Sequence, residues 1–333
     1  LPQSVIETGG APAVADMNGD GVPEIAFGNA LFNHQGTLLF EGTTDSTTQD
    51  GQGEGGAGHG PMSVFVDLDG DGQSELVAGR TAFGANGQVV WDRADLADGL
   101  STIANVDQDV DAEVILFTGG NELYVLEHDG STKYGPVHIR SGNVNEEGEE
   151  EGFITTNPAV GDLDGDGYPE IVISATNWVY VFEHTLDLKW QAPSNDQTGA
   201  SGPTTFDFEG DGRAEVVYAD EGSVYIWDGV TGATKYQASR GSRTIFDNPV
   251  IVDVDNDGHA EILLSMETPL GDVGMHGLIA YSNQAGNWVG TRRVWNQHSY
   301  HISNISESGV VPAHEGAGWL EHNVYRSNVV MCE

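Results

Sequence analysis

The sequence predicts an all-β fold, a seven-bladed β-propeller whose blades are four-stranded antiparallel sheets. Three observations support this prediction: an acidic motif recurs along the chain, its copies are evenly spaced, and short β-forming runs flank each copy. Successive copies begin 51, 38, 57, 45 and 46 residues apart, a mean near 47. A repeat of this length suits one propeller blade of four short strands.

The acidic motif has oxygen-bearing side chains at its positions 1, 3, 5 and 9, and glycine at position 6 in five of six copies. Carboxylates this close together repel one another unless a cation lies between them. The third copy is degenerate because Val110 replaces the glycine. The predicted side-chain ligands are Asp16, Asn18, Asp20 and Glu24; Asp67, Asp69, Asp71 and Glu75; Asn105, Asp107, Asp109 and Glu113; Asp162, Asp164, Asp166 and Glu170; Asp207, Glu209, Asp211 and Glu215; and Asp253, Asp255, Asp257 and Glu261.

The cation that suits these loops is calcium, which prefers six to eight oxygen ligands. A backbone carbonyl at position 7 completes the set, and the variety of side chains there suits a main-chain ligand. Magnesium fits worse because it demands a tight octahedron, and zinc prefers histidine or cysteine. We therefore predict five Ca²⁺ sites, with a sixth in doubt at residues 105–113. The position-7 residues are Val22, Gln73, Asp111, Tyr168, Arg213 and His259.

Three other interpretations of the acidic loops remain. An isolated acidic turn is often an ordinary solvated hairpin, although five copies in register argue against that. An EF-hand needs a ligand at position 12 and flanking helices, whereas these loops lead into apolar β-forming runs. Paired catalytic carboxylates are conceivable, but a pair repeated in every blade suits structural support better than chemistry at one site.

Each repeat contains the elements of one blade. A strand of small residues precedes the acidic loop, a strand of apolar β-formers follows it, and an aromatic hairpin completes the unit. Six such units fill about residues 10–290. Residues 291–333 and 1–9 are left over, and because an open ring would expose strand edges, we predict that they form a closing seventh blade. The whole chain, 1–333, is then one propeller domain; six blades with a C-terminal appendage is the alternative.

The amino-acid composition limits the classes of molecule that the protein is expected to bind. Twelve Lys and Arg against 52 Asp and Glu give a formal charge of −40, which repels nucleic acid and anionic lipid headgroups. Cys332 is the single cysteine, so no disulfide forms within the chain. No apolar run approaches the ~20 residues that span a bilayer, so we expect no membrane insertion by this segment. The first residues lack Met and a signal-like pattern, so we expect a mature or excised segment.

The repeats resemble FG-GAP/VCBS repeats, the calcium-bearing blades of integrin α-subunit propellers and of many bacterial surface proteins. The resemblance lies in the loop pattern D-x-D/N-x-D-G-x-x-E, in Gly10-Ala11-Pro12 and in Phe27-Gly28, and it covers roughly residues 10–290. It implies a seven-bladed propeller, calcium in the loops between first and second strands, and an extracellular location. Glutamate at position 9, where the family has aspartate, is a departure.

Two features indicate where a ligand would bind. Long polar connections at 41–60, 135–156, 191–202 and 237–248 are expected on the face opposite the calcium loops. The segment 291–306 is rich in side chains that stack on sugars or peptides. Its candidate ligand-binding residues are Arg292, Arg293, Trp295, His298 and His301. The alternative is that these residues only pack the closing blade.

The function predicted from these observations is that of an extracellular, calcium-stabilised module for adhesion, which binds a protein or a glycan. A polysaccharide lyase or hydrolase built on a calcium-rich propeller is the alternative. The sequence contains no Gly-x-Ser-x-Gly elbow and no His-Glu-x-x-His motif, so a non-catalytic module is preferred.

Overall fold

The computed structural model describes residues 10–43, 50–55, 60–140, 143–144, 150–151, 156–242, 247–266 and 277–331. These residues form six antiparallel sheets in which the strands follow one another in chain order; the first five sheets have four strands and the sixth has three. A separate two-stranded pair lies between the third and fourth sheets in the sequence. The repeated all-β architecture agrees with the prediction.

The strand bounds show the repeat. The first three sheets contain β1 (Ala13–Ala15), β2 (Glu24–Phe27), β3 (Ala30–Phe32), β4 (Leu38–Glu41), β5 (Val64–Val66), β6 (Glu75–Ala78), β7 (Thr81–Phe83), β8 (Val89–Asp92), β9 (Gly99–Ala104), β10 (Glu113–Thr118), β11 (Glu122–Leu126) and β12 (Thr132–His138). The separate pair is β13 (Asn143–Val144) and β14 (Glu150–Glu151). The other sheets contain β15 (Ala159–Gly161), β16 (Glu170–Ala175), β17 (Trp178–Phe182), β18 (Leu188–Pro193), β19 (Thr204–Phe206), β20 (Glu215–Ala219), β21 (Ser223–Trp227), β22 (Thr234–Ser239), β23 (Val250–Val252), β24 (Glu261–Met266) and β25 (Gly277–Tyr281).

The sheets are arranged with their first strands at the centre. The first strands of consecutive sheets contact one another, as β1 does β5 and β15 does β19. Hydroxyl groups of inner strands bond to the preceding sheet: Thr205 Oγ1 of β19 donates to Val160 O of β15 at 3.3 Å, and Ser101 Oγ of β9 donates to Gly79 O, just after β6, at 2.9 Å. The second strand β16 is buried along its whole length, whereas the fourth strand β22 is mostly exposed. Inner strands that meet and outer strands that face solvent are the arrangement of a β-propeller.

Neighbouring sheets also lock together near their outer edges. Trp190, in the fourth strand of the fourth sheet, donates from Nε1 to Gly229 O at 2.7 Å in the β21–β22 turn of the fifth. Gly232 in that turn has φ of 70°, and a Cβ there would lie 2.8 Å from the Trp190 ring. Trp91 packs in the same way on Gly130 of the third sheet. The turn needs glycine both for its backbone conformation and for the close approach of the ring.

The C-terminal segment, residues 291–331, crosses the inner strands. Tyr325 forms an isolated bridge with Val160 of β15, and Ser327 forms one with Thr205 of β19. Asn328 Nδ2 then donates to Ile251 O of β23 at 3.0 Å. The single helix among the described residues is α1 (Gly318–Glu321), and no helix in the described part of the chain is long and apolar enough to cross a membrane.

The predicted closing blade does not appear as a sheet. The C-terminal segment does lie between the sixth and first sheets, since Asp253 N donates to Arg292 O at 3.1 Å and Val14 N donates to Gln297 Oε1 at 2.7 Å. Residues 291–331, however, contain α1 and isolated bridges but no strand of a sheet. Residues 1–9, the other half of the predicted blade, lie outside the described residues. A seven-bladed ring closed by both termini therefore stays a prediction.

Candidate metal centres

All six acidic loops join the first and second strands of their sheets. The position-9 glutamate begins the second strand and pairs with the last residue of the first, as Glu170 does with Gly161. The same pairing joins Ala15 to Glu24 and Val252 to Glu261. In an antiparallel sheet this places the acidic loops on the same face as the turns between third and fourth strands.

The loop backbone turns the carboxylates inward. In the second loop, Asp67 accepts the N–H groups of Asp71 at 3.1 Å and Gly72 at 2.9 Å. Asp69 Oδ1 accepts the Asp71 N–H at 3.1 Å, and Asp71 Oδ1 accepts the Gln73 N–H at 2.8 Å. The bond from position 6 to the position-1 carboxylate recurs in the first, fourth, fifth and sixth loops. These five loops therefore share the bond that turns the position-1 carboxylate toward the loop backbone.

Two positions of the loop adopt a left-handed backbone. In the second loop Gly70 at position 4 has φ of 71° and Gly72 at position 6 has φ of 88°. Glycine adopts this conformation without steric cost. Gln108 and Asn256 also have positive φ at position 4 of the third and sixth loops, at 66° and 62°. The sequence pattern identified the need for glycine at position 6 but not the one at position 4.

The third loop differs, as its missing glycine predicts. Val110 at position 6 does not adopt a left-handed backbone. Asn105 at position 1 donates from Nδ2 to Asp109 O at 2.8 Å, and its Oδ1 accepts the Gln108 N–H at 2.6 Å. The bond from the N–H of position 6 to the side chain of position 1 has no counterpart here, so this loop has a different shape.

The buried glutamate of each loop uses one oxygen for the backbone and keeps the other for the loop. Glu170 Oε2 accepts the Leu163 N–H at 2.6 Å, and the equivalent bond occurs in all six loops at 2.6–3.1 Å. Burial raises the pKa of Glu170 to about 8 and that of Glu75, Glu113 and Glu215 to about 7. Burial disfavours the charged form of these carboxyl groups, and a nearby cation favours it.

The donor set fits a hard cation. Five loops, the second to the sixth, contain three acidic groups whose ligand oxygens lie within 4.8 Å of one another, so the third loop is included although its site was the doubtful one; the first loop, with Asn18 at position 3, is not among them. At position 7 of every loop the backbone N–H donates to the position-5 carboxylate, as Tyr168 N does to Asp166 Oδ1 at 2.8 Å; the predicted carbonyl ligation stays a prediction. The groups are Asp67, Asp69 and Asp71; Asp107, Asp109 and Glu113; Asp162, Asp164 and Glu170; Asp207, Glu209 and Glu215; and Asp253, Asp255 and Glu261.

Lysines reach three of these loops, a feature that the sequence pattern did not reveal. Lys189 Nζ lies 2.5 Å from Asp164 Oδ2, 3.1 Å from Glu170 Oε1 and 2.9 Å from Glu183 Oε1. Lys133 makes the same contacts in the third loop, and Lys235 contacts Glu209 and Glu215 in the fifth. Burial lowers the pKa of Lys189, but the surrounding carboxylates raise it more, so the net direction is upward. The ammonium group therefore stays charged.

The predicted ligand-binding residues do not converge on one surface. Arg292 is buried and binds Glu307, Tyr300 Oη at 3.1 Å and backbone carbonyls. Arg293 Nη1 donates to Asn256 Oδ1 at 2.7 Å, which places Arg293 at the sixth acidic loop. That contact lies on the same face as the acidic loops, whereas the ligand was predicted on the opposite face.

The aromatic candidates of the same segment have partners inside the protein. The Trp295 ring stacks on Tyr300 with centroids 4.5 Å apart. His301 Nε2 is in hydrogen-bond contact with Glu315, and its ring stacks on Tyr325. His298 lies beside Arg326 and Asn248, and burial, with Arg326 nearby, lowers its pKa well below the usual value. These contacts favour the packing role that was the alternative interpretation.

A buried arginine in the C-terminal segment was also missed. Arg326 is 1% exposed and has φ of 50°, and its Nη1 donates to His298 O at 3.0 Å. Its Nη2 has no hydrogen-bond partner among the described residues. Burial lowers its pKa to about 10. Nothing in the local sequence marks Arg326, because its neighbours come from distant parts of the chain.

Comparison with known proteins agrees with the repeats and the fold. The FG-GAP-like repeat family matches residues 162–218 and 207–264. No protein of curated function matches the sequence. Among solved structures, the biofilm matrix protein Bap1 of V. cholerae is similar with a TM-score of 0.75 and 20% identity, over 97% of this chain and 77% of that one.

Two further structures are similar over most of the chain. BBS1N, solved in complex with ARL6DN, has a TM-score of 0.50 and 11% identity over 83% of this chain and 78% of that one. The rhamnogalacturonan lyase PL11 of Bacillus licheniformis has a TM-score of 0.49 and 16% identity over 77% of this chain and 43% of that one. At these identities the likeness to Bap1 and BBS1N concerns the fold alone, and the lyase score is too low to support an argument.

Proposed function

Because the chain contains FG-GAP-like repeats in a β-propeller-like fold, we propose that it is a calcium-stabilised module that binds a protein or glycan outside the cell. The observation that carries the calcium proposal is the repeated acidic loop, with ligand oxygens of three acids within 4.8 Å in five copies. A chain of formal charge −40 gains most from cations at the points where its carboxylates are concentrated.

When bound, calcium would neutralise the acidic loops and fix the connection between first and second strands. The position-1 and position-5 carboxylates are already oriented by backbone N–H groups, and the position-9 glutamate is anchored by one oxygen. The chain's own contribution is therefore a preformed loop whose remaining oxygens are available to the ion. Calcium-dependent stability requires a compartment in which calcium is abundant, which is why we place the protein outside the cell.

We place the partner on the face opposite the acidic loops, where the connections between sheets lie. Much of the connections 41–60, 135–156 and 237–248 lies outside the described residues. The matrix role stated for Bap1 suits a module that holds other molecules rather than converts them. We further propose that the segment belongs to a larger surface protein and does not bind nucleic acid.

Calcium removal tests the proposal. The full chain is expected to melt at a markedly lower temperature in EDTA than in millimolar calcium, because each ion that binds only the folded form adds RT ln(1 + [L]/Kd) to the free energy of unfolding. Differential scanning calorimetry measures the difference, and magnesium at equal concentration serves as the control. Equal melting temperatures in EDTA and in calcium would rule out the calcium-stabilised module.

A binding assay distinguishes the module from an enzyme. The protein is incubated with acidic and neutral polysaccharides, and the mixture is examined for retained glycan, new reducing ends and unsaturated products. Retention without turnover is the expected result. Release of products would support the lyase or hydrolase instead.

A further inference from the structure

We propose that calcium is bound in the first, second and sixth acidic loops, whereas Lys133, Lys189 and Lys235 take its place in the third, fourth and fifth. This inference rests on the proposed calcium function and specifies which of the repeated loops perform it. The six acidic loops then fall into two kinds, those that bind calcium and those that contain a lysine, and the lysine comes from the fourth strand rather than from the acidic motif.

The distribution of lysine in the chain is the first argument. The chain has only three lysines, and each is the second residue of a fourth strand, in β12, β18 and β22. Each reaches the acid at position 3 of its own sheet's loop across 25 or 26 residues of sequence. In a chain with 52 acidic residues, the use of every lysine at one structural position indicates a specific role.

The contacts show what that role is. Lys189 Nζ binds the oxygen of Asp164 that the backbone leaves free, and it also binds Glu170 Oε1, the glutamate oxygen that faces the loop. The other oxygens of these two acids accept the N–H groups of Asp166 and Leu163. The ammonium group thus uses the oxygens that position 3 and position 9 would offer to a metal ion. A calcium ion would have to displace it or bind beside a positive charge.

The first and second sheets have apolar residues at the same place. Leu39 and Val90 are the second residues of β4 and β8, and each is 50% exposed. Neither side chain can donate a hydrogen bond. Among the described residues, no ion pair involves a carboxylate of the first, second or sixth loop. The second and sixth loops contain three acids with ligand oxygens within 4.8 Å of one another, and the first contains Asp16, Asp20 and Glu24 with an amide at position 3. All three loops therefore keep negative charge that a divalent cation would neutralise.

The two kinds of sheet are contiguous. The third, fourth and fifth sheets follow one another in the chain, and the C-terminal segment contacts both the sixth sheet, at Asp253, and the first, at Val14. Loss of calcium is therefore expected to loosen the first, second and sixth sheets more than the third, fourth and fifth, whose loops contain lysine.

The experiment counts calcium ions bound to the full chain and to exchange variants. Equilibrium dialysis and native mass spectrometry are expected to give three ions for the natural chain. Lys189→Met is expected to raise the count to four, and the reciprocal changes Leu39→Lys and Val90→Lys are each expected to lower it to two. Arg93→Met, which removes a cation bonded to Asp95, Gly130 O and Thr132 Oγ1 outside the acidic loops, is the matched control and should leave three.

Amine labelling gives a readout that does not depend on the variants folding. Lys133 and Lys189 have side chains only 13% and 10% exposed, so their reaction with an acetylating reagent reports whether the ammonium stays in the loop. The labelling rates of these two lysines are expected to be the same with and without saturating calcium. Faster labelling in calcium would mean that the ion displaces lysine and would overturn the inference.

The outcomes separate the two proposals. A count of five or six ions in the natural chain would overturn the lysine inference and leave the calcium module intact. A count of zero would overturn the calcium module itself. A count of three that does not change in Lys189→Met, Leu39→Lys or Val90→Lys would show that lysine does not decide which loops bind the ion.

Discussion

At the scale of single residues, the position-9 glutamate connects the fold to the proposed metal chemistry. Glu170 begins β16, is fully buried and holds the start of its own loop by accepting the Leu163 N–H. Burial disfavours its charged form, so without a metal ion the carboxyl group retains its proton at higher pH than an exposed glutamate. Glu75 has the same environment but no lysine, and desolvation raises its pKa to about 7.

These glutamates predict an unusual pH dependence for the calcium-free protein. Their pKa values in the folded state, about 7 for Glu75 and about 8 for Glu170, lie above the ordinary 4.5, so the folded form binds protons that the unfolded chain has released. This contribution to the free energy of unfolding is complete below about pH 4.5 and is lost as the pH rises through 7 to 8. The melting temperature in EDTA is therefore expected to be higher at pH 5.5 than at pH 8.5.

Saturating calcium should reverse that trend, because the ion requires deprotonated carboxylates. Glu75→Gln, which keeps an acceptor for the Leu68 N–H, should reduce the pH dependence in EDTA. A melting temperature in EDTA that is independent of pH between 5.5 and 8.5 would contradict the assignment.

At the scale of elements, three pairs of consecutive sheets are joined where a ring of one sheet packs on the turn between the third and fourth strands of the next. Gly36, Gly87, Gly130 and Gly232 share this position, and all have positive φ. Leu186 takes the same position in the fourth sheet and also has positive φ, at 68°. An aromatic ring of the preceding sheet packs on Gly87, Gly130 and Gly232, whereas a Cβ added to Gly36 in the first sheet would meet no atom within 4 Å.

Substitution of these glycines by alanine distinguishes the energetic cost of backbone strain from that of packing between sheets. Gly36→Ala adds only the left-handed strain of a non-glycine residue and is expected to cost about 1 kcal/mol. Gly232→Ala adds the same strain and places Cβ 2.8 Å from the Trp190 ring, so it is expected to cost roughly 1–3 kcal/mol more. Urea denaturation of both variants in calcium measures the difference. Equal losses would show that the Trp190 contact does not limit the turn.

At the scale of the whole molecule, the C-terminal segment connects sheets that are far apart in sequence. Tyr325, Ser327 and Asn328 contact the first strands of the fourth, fifth and sixth sheets in turn. Asn323 Nδ2 also donates to Asn105 O of the third loop at 2.7 Å. His314 Nδ1 lies 3.2 Å from Gly72 O of the second loop. One short segment thus contacts the inner strands of three sheets and the acidic loops of two others.

Removal of this segment should affect the entire fold. Truncation after residue 323 deletes the contacts to β15, β19 and β23, and we expect a large fall in the melting temperature and a broader transition. Deletion of residues 332–333 alone is the control and should change little. A melting temperature of the longer truncation within about 2 °C of the full chain would show that the segment is a dispensable appendage.

Much of the fold can be predicted from the sequence because it depends on local sequence patterns. The order of strands, the acidic loop between first and second strands and the altered third loop all depend on residues within about ten positions of one another. Glycine spacing and carboxylate repulsion act at that range. The positive φ at position 4 was missed because Gln108 and Asn256 occupy it in two loops and obscure the pattern.

By itself, the sequence determined the repeated sheets and the acidic loops, since these arise from neighbouring residues. Only the tertiary structure decided three other features. Residues 325–328 lie along the inner strands, and lysines contact three of the acidic loops. Arg326 is buried with no carboxylate in contact among the described residues. Each depends on groups brought together from separate parts of the chain, as Tyr325 is with Val160 and Arg326 with Pro203. Local sequence patterns do not predict such contacts, because the packing of whole sheets determines which distant residues come together.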